Sequence, residues 1–243
     1  MCNLYNLTTT QAAVLDWTRA MRDLSGNWAP SMMIGPDRHG PIVRNSADGQ
    51  RELVKVRWGL PSPDFAILEA TKERAAKLRA KGKTVSDEEF KALLAVEPDA
   101  GITNVRKLDS KHWTRWFGLE HRCVVPMTAF AEWDKANRRN QWFSVSEDKP
   151  LAFFAGLWVP QWTSIRKKTE GTVTIDLYSF LTTDANSIVK PIHPKAMPVI
   201  LTTQEETETW LTAPWEDAKK LQRPLPDSMT ALVTPPENAI TVQ

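Results

Sequence analysis

The first thirty residues carry apolar side chains at helical spacing, three to four residues apart. These apolar positions are Val14, Trp17, Met21 and Leu24. Thr8 and Gln11 stand three residues apart, as the two members of a capping box do at the start of a helix. Gly26 follows the last apolar position, where glycine often ends a helix. The pattern predicts a first helix over about 11–24.

Most of the remaining apolar pattern alternates or runs continuously over short stretches, as it does in β-strands. The predicted strands span 41–44, 53–58, 123–126, 129–134, 141–145, 151–158, 173–182 and 197–201. Polar turn signals separate several of them, at Asp48-Gly49, at 137–140 and at 166–171. Strands in the middle with helices at both ends are typical of α+β proteins. We expect a curled, mostly antiparallel, barrel-like sheet flanked by helices.

Residues 66–97 differ from their surroundings because they are rich in Ala, Lys and Glu. Ser86 and Glu89 form a second capping box within them. We interpret the stretch as a helical hairpin inserted between strands of a single domain that spans 1–243. Its basic residues are Lys72, Arg74, Lys77, Arg79, Lys81 and Lys83. They are interpreted as a solvated face, with a nucleic-acid or partner contact as the alternative.

Two further helices are predicted, a short one over 110–117 and a capped one over 203–211 that Pro214 ends. The apolar fraction of 42% and the charged fraction of 25% are those of a soluble globular protein. A net charge of +2 excludes a globally basic DNA-binding protein but leaves room for a local basic groove. Two cysteines indicate a reducing compartment rather than a disulfide framework.

The opening residues lack the basic and apolar segments of a signal peptide, and no apolar run is long enough to span a membrane. We therefore expect a cytoplasmic protein. The two Cys and four His show no metal-ligand spacing, so no metal or other cofactor is expected. Eleven tryptophans against two tyrosines is an unusual ratio. Most are interpreted as core side chains, with one or two offering faces on which bases stack.

Cys2 is the most informative position, because removal of Met1 would leave it as the N-terminal residue. It would then carry an α-amine and a thiol on adjacent carbons. These groups typically have pKa values of about 7.7–8.0 and about 8.5, so both have a nucleophilic fraction near pH 7. Such a 1,2-aminothiol traps aldehydes, since the amine forms an imine and the thiol closes a thiazolidine ring on it. The alternative is that a cysteine at position 2 is incidental.

Three other segments carry candidate polar groups, each with a structural alternative. Asn104 is interpreted as a site residue or as a cap for a turn or helix. Glu132 stands where strand alternation would bury it, which is costly unless it is protonated or paired, for example with Arg57. His193 directly precedes a predicted strand and could instead be a core histidine. Cys123 lies in an apolar run and is predicted to be an inert core thiol.

Taken in order, these motifs resemble the SOS response-associated peptidase (SRAP) family. The segments that carry the resemblance are the initial Met-Cys, RWGLP, NVR, RCVVP with the following Glu-Trp strand, and IHPKAMPVIL. They extend from Cys2 to about Trp215, and their combination with cysteine at position 2 is highly specific. The resemblance implies an abasic-site processing protein of the SOS response and DNA repair. Its N-terminal cysteine would form a thiazolidine crosslink with the ring-opened sugar of an abasic site in single-stranded DNA.

The resemblance also implies a role for each matching residue. Cys2 becomes the nucleophile, Glu132 the general acid/base, His193 an aid to proton transfer, and Asn104 the residue that positions the cysteine or the sugar. Arg57 and Arg106 fall in segments that line the DNA-binding face of the family, and we expect Arg44, Trp58 and Lys195 to bind DNA as well. The implied activity is that of a thiol-dependent hydrolase or lyase, with autoproteolytic removal of Met1 and a lyase side activity. The implied partner is single-stranded DNA with abasic sites, bound by a monomer that associates with the nucleoid.

The sequence departs from the family pattern at several points. Asn3 and Leu4 follow Cys2 where many members read Gly-Arg, so a phosphate-binding arginine is missing. Ala131 stands where an aromatic residue usually precedes the glutamate. The histidine motif carries an extra residue, and the insertion at 66–97 is longer than in compact members. These departures affect the expected DNA contacts more than the chemistry.

Two other functions remain open at this point. A thiol peptidase acting on proteins would use the same residues, with Cys2 as nucleophile, His193 as base and Asn104 as orienting group. A noncatalytic module that binds single-stranded nucleic acid would stack bases on an aromatic β-surface. Changing Cys2 would abolish the first activity and leave the second intact.

Overall fold

The computed structural model describes residues 2–29, 31–237 and the backbone of 240–241. The α-helices are α1 Gln11–Thr18, α2 Asp64–Ala80, α3 Asp87–Ala95, α4 Lys111–Thr114, α5 Gln204–Thr212 and α6 Trp215–Ala218. The strands of the first half are β1 Leu4–Leu7, β2 Arg22–Asp23, β3 Met32–Ile34, β4 His39–Asn45, β5 Arg51–Trp58 and β6 Asn104–Val105. Those of the second half are β7 Arg122–Met127, β8 Ala129–Asp134, β9 Arg139–Ser144, β10 Ala152–Ile165, β11 Thr172–Thr183, β12 Met197–Pro198, β13 Ile200–Leu201, β14 Ala231–Val233 and β15 Ile240–Thr241.

Five strands close into a barrel in the order β11-β10-β7-β4-β5. The four neighbouring pairs within this order are antiparallel. A parallel pairing of β5 with β11, which sets Arg57 opposite Leu177 and Trp58 opposite Tyr178, closes the ring. A second sheet runs β14-β9-β8-β1-β3-β15 beside it. The α+β class and the barrel-like core expected from the sequence are confirmed.

Aromatic side chains fill the barrel. Trp58 is fully buried and contacts Tyr178 and Phe180, with ring centroids 6.3 and 5.1 Å away. Tyr5 reaches into the same interior from β1, and its hydroxyl bonds that of Tyr178 at 2.6 Å. The barrel core therefore anchors the N-terminal strand, which ties the position of β1 to the packing of the sheet.

Gly40 gives the clearest test of this packing. A Cβ atom there would lie 2.3 Å from the hydroxyl oxygen of Tyr178 and 2.4 Å from that of Tyr5. We expect Gly40→Ala to lower the free energy of unfolding by about 1–3 kcal/mol, because the buried tyrosine pair must shift. Gly35→Ala is the matched control, since its nearest neighbouring atom would be 3.9 Å away. Urea denaturation measures both, and equal midpoints for the two variants would contradict the prediction.

The first helix is shorter than the sequence predicted. It ends at Thr18, and Arg19 follows in the left-handed conformation with φ 53°. Its N-cap is Thr10, whose side chain accepts from the Ala13 amide, so the predicted capping box at Thr8 and Gln11 is wrong. The chain then leaves the helix because β2 pairs with β5. Two residues assigned to the helical face, Met21 and Leu24, are consequently 78% and 63% exposed.

The insertion between β5 and β6 forms the predicted helical hairpin, α2 and α3. The capping box of Ser86 and Glu89 is confirmed, with both reciprocal hydrogen bonds present. Lys72 pairs with Glu69 three residues earlier, and most of the other basic side chains on this hairpin are exposed. These contacts agree with the interpretation of a solvated face.

Several strand boundaries differ from the predicted ones. β10 continues to Ile165, well past the predicted end at 158, because a bulge between Val159 and Trp162 carries the pairing with β11 onward. The predicted strand 197–201 consists of two short strands, β12 paired with β11 and β13 paired with β10. The sequence did not indicate β1, which its pairing with β3 and β8 holds in the second sheet.

Arg166 braces the segment that leads from the insertion into β6. Its guanidinium is fully buried against Gly101, whose φ is +78°. A Cβ at Gly101 would lie 2.4 Å from the nearer terminal nitrogen of Arg166, so only glycine fits there. The Asp99 amide also donates to the Ile165 carbonyl at 2.8 Å. This brace sets the path of the chain toward Asn104.

Candidate functional site

Cys2 lies at the start of β1, beside β8. The register pairs Leu4 with Ala131, so the chain just before β1 runs alongside Glu132. The Cys2 side chain is fully buried, and its thiol lies 3.5 Å from the Leu4 carbonyl oxygen. Burial raises the pKa of this thiol well above its usual value, and the negative charge of Glu132 raises it further. At neutral pH the thiol is therefore protonated, and a base must remove its proton before sulfur attacks.

Glu132 projects into the interior from β8, as strand alternation predicted, and is 1% exposed. Burial raises the pKa of its carboxyl to about 7, so both the protonated and ionised forms are populated near neutral pH. The alternative that Glu132 pairs with Arg57 is wrong, because Arg57 makes two-point contacts with Asp37 and Glu170 instead. A carboxyl with this pKa can both give and take a proton.

His193 approaches Glu132 from the segment before β12, with its Nδ1 atom 3.9 Å from a Glu132 carboxyl oxygen. Nδ1 also lies 2.7 Å from the Ala196 carbonyl oxygen. Because a carbonyl only accepts, Nδ1 carries the proton, which leaves Nε2 as the basic nitrogen of the neutral ring. Partial burial lowers the pKa of His193, and nearby Lys195 and Lys135 lower it further. The neutral imidazole is thus a proton acceptor.

Asn104 enters from β6, which pairs with β11. Its Nδ2 atom donates to the Cys2 carbonyl at 2.9 Å and to the Thr103 hydroxyl at 2.8 Å. The side chain therefore holds the N-terminal segment and does not cap the following helix, whose N-cap is Ser110. The structure brings Asn104 to Cys2, and Glu132 to both Cys2 and His193, from four distant segments of the chain.

Three of the five expected DNA-binding residues require correction. Trp58 has no exposed surface on which a base could stack. The Arg57 side chain is 8% exposed and is held by Asp37 and Glu170. Arg44 lies between Glu52 and Asp176, and its guanidinium sits 3.9 Å from the ring centroid of Trp158. Both guanidinium groups are paired with carboxylates and have little exposed surface, so Arg57 and Trp58 build the barrel and Arg44 is held in its wall.

Arg106 and Lys195 have the exposure that a phosphate contact requires. The Arg106 side chain is 39% exposed, pairs with Asp184, and donates to the Lys195 carbonyl at 3.2 Å. Lys195 itself is exposed beside the His193 segment. Together they form a basic rim on the His193 side of the site.

Sequence reasoning missed several residues around this site. Lys135 is exposed and close enough to influence the His193 pKa, which its place directly after the Glu132 strand could have signalled. Trp133 follows Glu132 on β8 and is 51% exposed. Thr103 and Asn3 bond one another at 3.1 Å next to Asn104. No local sequence signal links that pair, which is separated by 100 residues.

A large groove of about 1010 Å³ lies elsewhere, between the β4–β5 hairpin and the end of α5. Arg44, Arg51 and Trp158 line it, and the four converging site residues do not. Across the part of the chain that the structure describes, no cluster of three or more His, Cys, Asp or Glu side chains could hold a metal ion. No helix within the same residues is long and apolar enough to cross a membrane.

The fold and the site define an α+β barrel protein with a buried, cysteine-centred polar site. The sequence profile of the SOS response associated peptidase (SRAP) family matches residues 100–236, more than half of the chain. The chain therefore belongs to the SRAP family, as the sequence motifs indicated. The family description associates it with the SOS response. A comparison with curated proteins finds no match.

Solved structures show the same fold. A protein from Bordetella bronchiseptica is 21% identical with a TM-score of 0.61, and the match covers 95% of this chain and 98% of that one. A protein from Bacteroides thetaiotaomicron has the same identity and TM-score, over 95% and 90% of the two chains. A phage-related protein from Bordetella bronchiseptica is 15% identical with a TM-score of 0.60, over 95% and 92%. These similarities concern the fold alone.

Proposed function

We propose that this protein captures abasic sites in single-stranded DNA by forming a thiazolidine between Cys2 and the ring-opened sugar. The supporting observation is the convergence of Asn104, Glu132 and His193 around the buried Cys2 segment. The reaction needs the α-amine of Cys2, so it requires removal of Met1, which lies outside the described residues and which we infer to be autoproteolytic. The chemistry of each converging residue suits one step of this reaction.

Opening of the sugar is the first step. An abasic sugar is mostly a closed hemiacetal, so a proton must leave the C1 hydroxyl and one must reach the ring oxygen. Glu132, with its pKa raised to about 7 by burial, is suited to move this proton. The product is the free C1 aldehyde, which is the group that an aminothiol traps.

Imine formation follows. The Cys2 amine attacks C1 and gives up a proton, which the neutral His193 accepts at Nε2. His193 returns that proton to the oxygen on C1, which gives the carbinolamine, and then carries the second amine proton to the same oxygen, so one water leaves, the imine is neutral and the imidazole ring ends the step neutral. The lowered pKa of His193 suits it to start this exchange as a base.

Ring closure completes the crosslink. The Cys2 sulfur adds to the imine carbon while its proton passes to the Glu132 carboxylate, and Glu132 then gives a proton to the nitrogen and returns to the carboxylate form. A base is needed here because burial raises the thiol pKa. Closure removes the imine, which would otherwise permit β-elimination and strand cleavage. The product is a stable protein–DNA crosslink rather than a cut strand.

The peptidase alternative has less support. A thiol peptidase acting on other proteins needs a reactive thiolate beside an open peptide groove. The groove of about 1010 Å³ that Arg44, Arg51 and Trp158 line does not include Cys2, Asn104, Glu132 or His193. We therefore confine peptidase activity to removal of Met1.

A denaturing gel tests the proposal. The purified protein is mixed with single-stranded DNA carrying one abasic site, and separately with the same strand undamaged. We expect a shifted band that resists heat and detergent with the abasic strand alone. Protein whose N-terminus is blocked by an uncleavable tag should give no band. Equal bands with both strands, or no band when mass spectrometry shows a free N-terminal cysteine, would contradict the proposal.

Phosphate contacts in this account come from the basic rim. We expect Arg106→Ala to weaken binding to single-stranded DNA and to reduce the log–log salt slope by about 0.7, the value for one phosphate contact. Arg22→Ala is the matched control, because Arg22 is also 39% exposed and paired with one aspartate, Asp48. It lies by the start of β5, whereas Trp58 and the site lie at its end. Equal slopes for the two variants in fluorescence titrations would exclude Arg106.

A further inference from the structure

Thr103 stands between the aromatic core of the barrel and the N-terminal segment. Its carbonyl accepts a hydrogen bond from the indole nitrogen of Trp58 at 3.0 Å, which holds its backbone to a fully buried ring. Its hydroxyl donates to Asn3 Oδ1 at 3.1 Å and accepts from Asn104 Nδ2 at 2.8 Å. One side chain thus contacts both the residue after Cys2 and the amide that holds Cys2.

The direction of these hydrogen bonds determines how Asn104 is oriented. A hydroxyl has a single proton, and here it goes to Asn3, so Thr103 can only accept from Asn104. The Asn104 amide must therefore present its NH₂ group to Thr103, and the second proton of that group reaches the Cys2 carbonyl at 2.9 Å. The flipped amide would set its oxygen against the Cys2 carbonyl, which is a repulsive pair of acceptors.

The oxygen of the same amide supports this interpretation. Asn104 Oδ1 is buried and has no hydrogen-bond partner among the described residues. Leaving a buried acceptor unsatisfied is costly, so a freely turning amide would not remain in this orientation. Asn104 keeps it because both protons of its nitrogen are held, one by Thr103 and one by Cys2.

We propose that Thr103, oriented by Asn3, is a positioning residue that fixes the Asn104 amide and thereby the Cys2 backbone. The amide oxygen then stays beside Cys2 as an acceptor for a donor group of the substrate. This inference rests on the proposed capture of abasic DNA. It adds two residues that act through Asn104 without touching the reacting atoms.

Three variants test the inference in single-turnover crosslinking to an abasic single strand. Thr103→Val keeps the shape and removes the hydroxyl, and we expect its rate constant at saturating DNA to fall about 5–10-fold. The DNA concentration at half-maximal rate should stay unchanged, because no DNA contact is lost. Thr103→Ser should restore the rate to within about twofold, since it returns the hydroxyl. Asn3→Ala should slow the reaction as Thr103→Val does, and the double variant should be no slower than the slower single one.

Two results would overturn the inference while the wild type still crosslinks. Either Thr103→Val reacts at the wild-type rate, or Thr103→Ser is as slow as Thr103→Val. If the wild type forms no crosslink at all, the proposed function fails, and exchange of the Asn104 side-chain amide protons, followed by NMR, decides instead. At least about fivefold faster exchange in Thr103→Val than in wild type supports the positioning role, and a smaller change overturns it.

Discussion

Cys2→Ser eliminates the heat-stable crosslink to abasic single-stranded DNA, lowering its yield by at least about two orders of magnitude. The α-amine of the variant still forms an imine with the aldehyde, but a serine hydroxyl is a much weaker nucleophile for ring closure. The imine therefore persists and undergoes β-elimination, which cleaves the DNA strand. We expect a cleaved DNA strand and an adduct that appears only after borohydride reduction, both seen on denaturing gels.

Cys123→Ala is the matched control for this variant. Cys123 is the other buried cysteine, and burial raises the pKa of its thiol as well. It faces Gly156 across the β7–β10 pair, in the wall of the barrel. Its replacement should leave the crosslink yield unchanged. A heat-stable crosslink with Cys2→Ser, or its loss with Cys123→Ala in a folded protein, would contradict the assignment of Cys2.

Glu132→Gln should lower the crosslinking rate constant by about 10²–10⁴-fold, the usual contribution of a general acid/base. The wild-type rate should fall as pH drops through about 7, because protonation removes the carboxylate that acts as the base. Glutamine does not titrate, so this inflection should be absent from the pH profile of the variant. Quench-flow or manual time courses between about pH 5 and 9 measure both profiles.

The same substitution should stabilise the fold at neutral pH. The buried Glu132 carboxyl binds its proton up to about pH 7, whereas in the unfolded chain it releases it near pH 4.3. The folded state thus holds more protons in this window, and stability falls as pH rises through it. Glu132→Gln removes that pH dependence of stability. The variant should therefore form the crosslink more slowly, but its free energy of unfolding at pH 8 should be no lower than that of the wild type.

Asp134→Asn separates this effect from a general loss of charge. Asp134 lies two residues further along β8, and its hydrogen bonds to Asn137 lower the pKa of its carboxyl. It is ionised throughout the range, so its replacement should leave the inflection near pH 7 in place. An inflection that survives in Glu132→Gln, or disappears in Asp134→Asn, would exclude Glu132 as the titrating base.

Local patterns predicted the elements whose stability is local. Strand 129–134 and the capping box at Ser86 follow directly from alternation and from spacing along the chain. The C-terminal end of α1 could not be predicted from apolar spacing. Met21 and Leu24 have helical spacing, but the pairing of β2 with β5 takes this segment out of the helix. Closure of the barrel depends on the parallel pairing of β5 with β11, which no local pattern encodes.

In the candidate site, too, the features set by local pattern were predictable and those set by distant contacts were not. Burial of Glu132 was predictable from alternation, and its consequence, a raised pKa, followed from elementary electrostatics. The DNA contacts predicted for Arg44 and Arg57 were wrong because the sequence does not show which carboxylate pairs with a basic residue in the folded chain. Arg57 pairs with Glu170, 113 positions away, and only the folded chain reveals that this charge is neutralised.

The most direct test of the account is mass spectrometry of the crosslinked N-terminal peptide after nuclease and protease digestion. Capture by Cys2 predicts a peptide that lacks Met1, begins with Cys2 and carries the sugar-phosphate remnant with the loss of one water. Fragmentation should place the added mass on Cys2, with its thiol resistant to alkylation. A peptide that retains Met1, or an adduct on any other residue, would contradict thiazolidine capture by this protein.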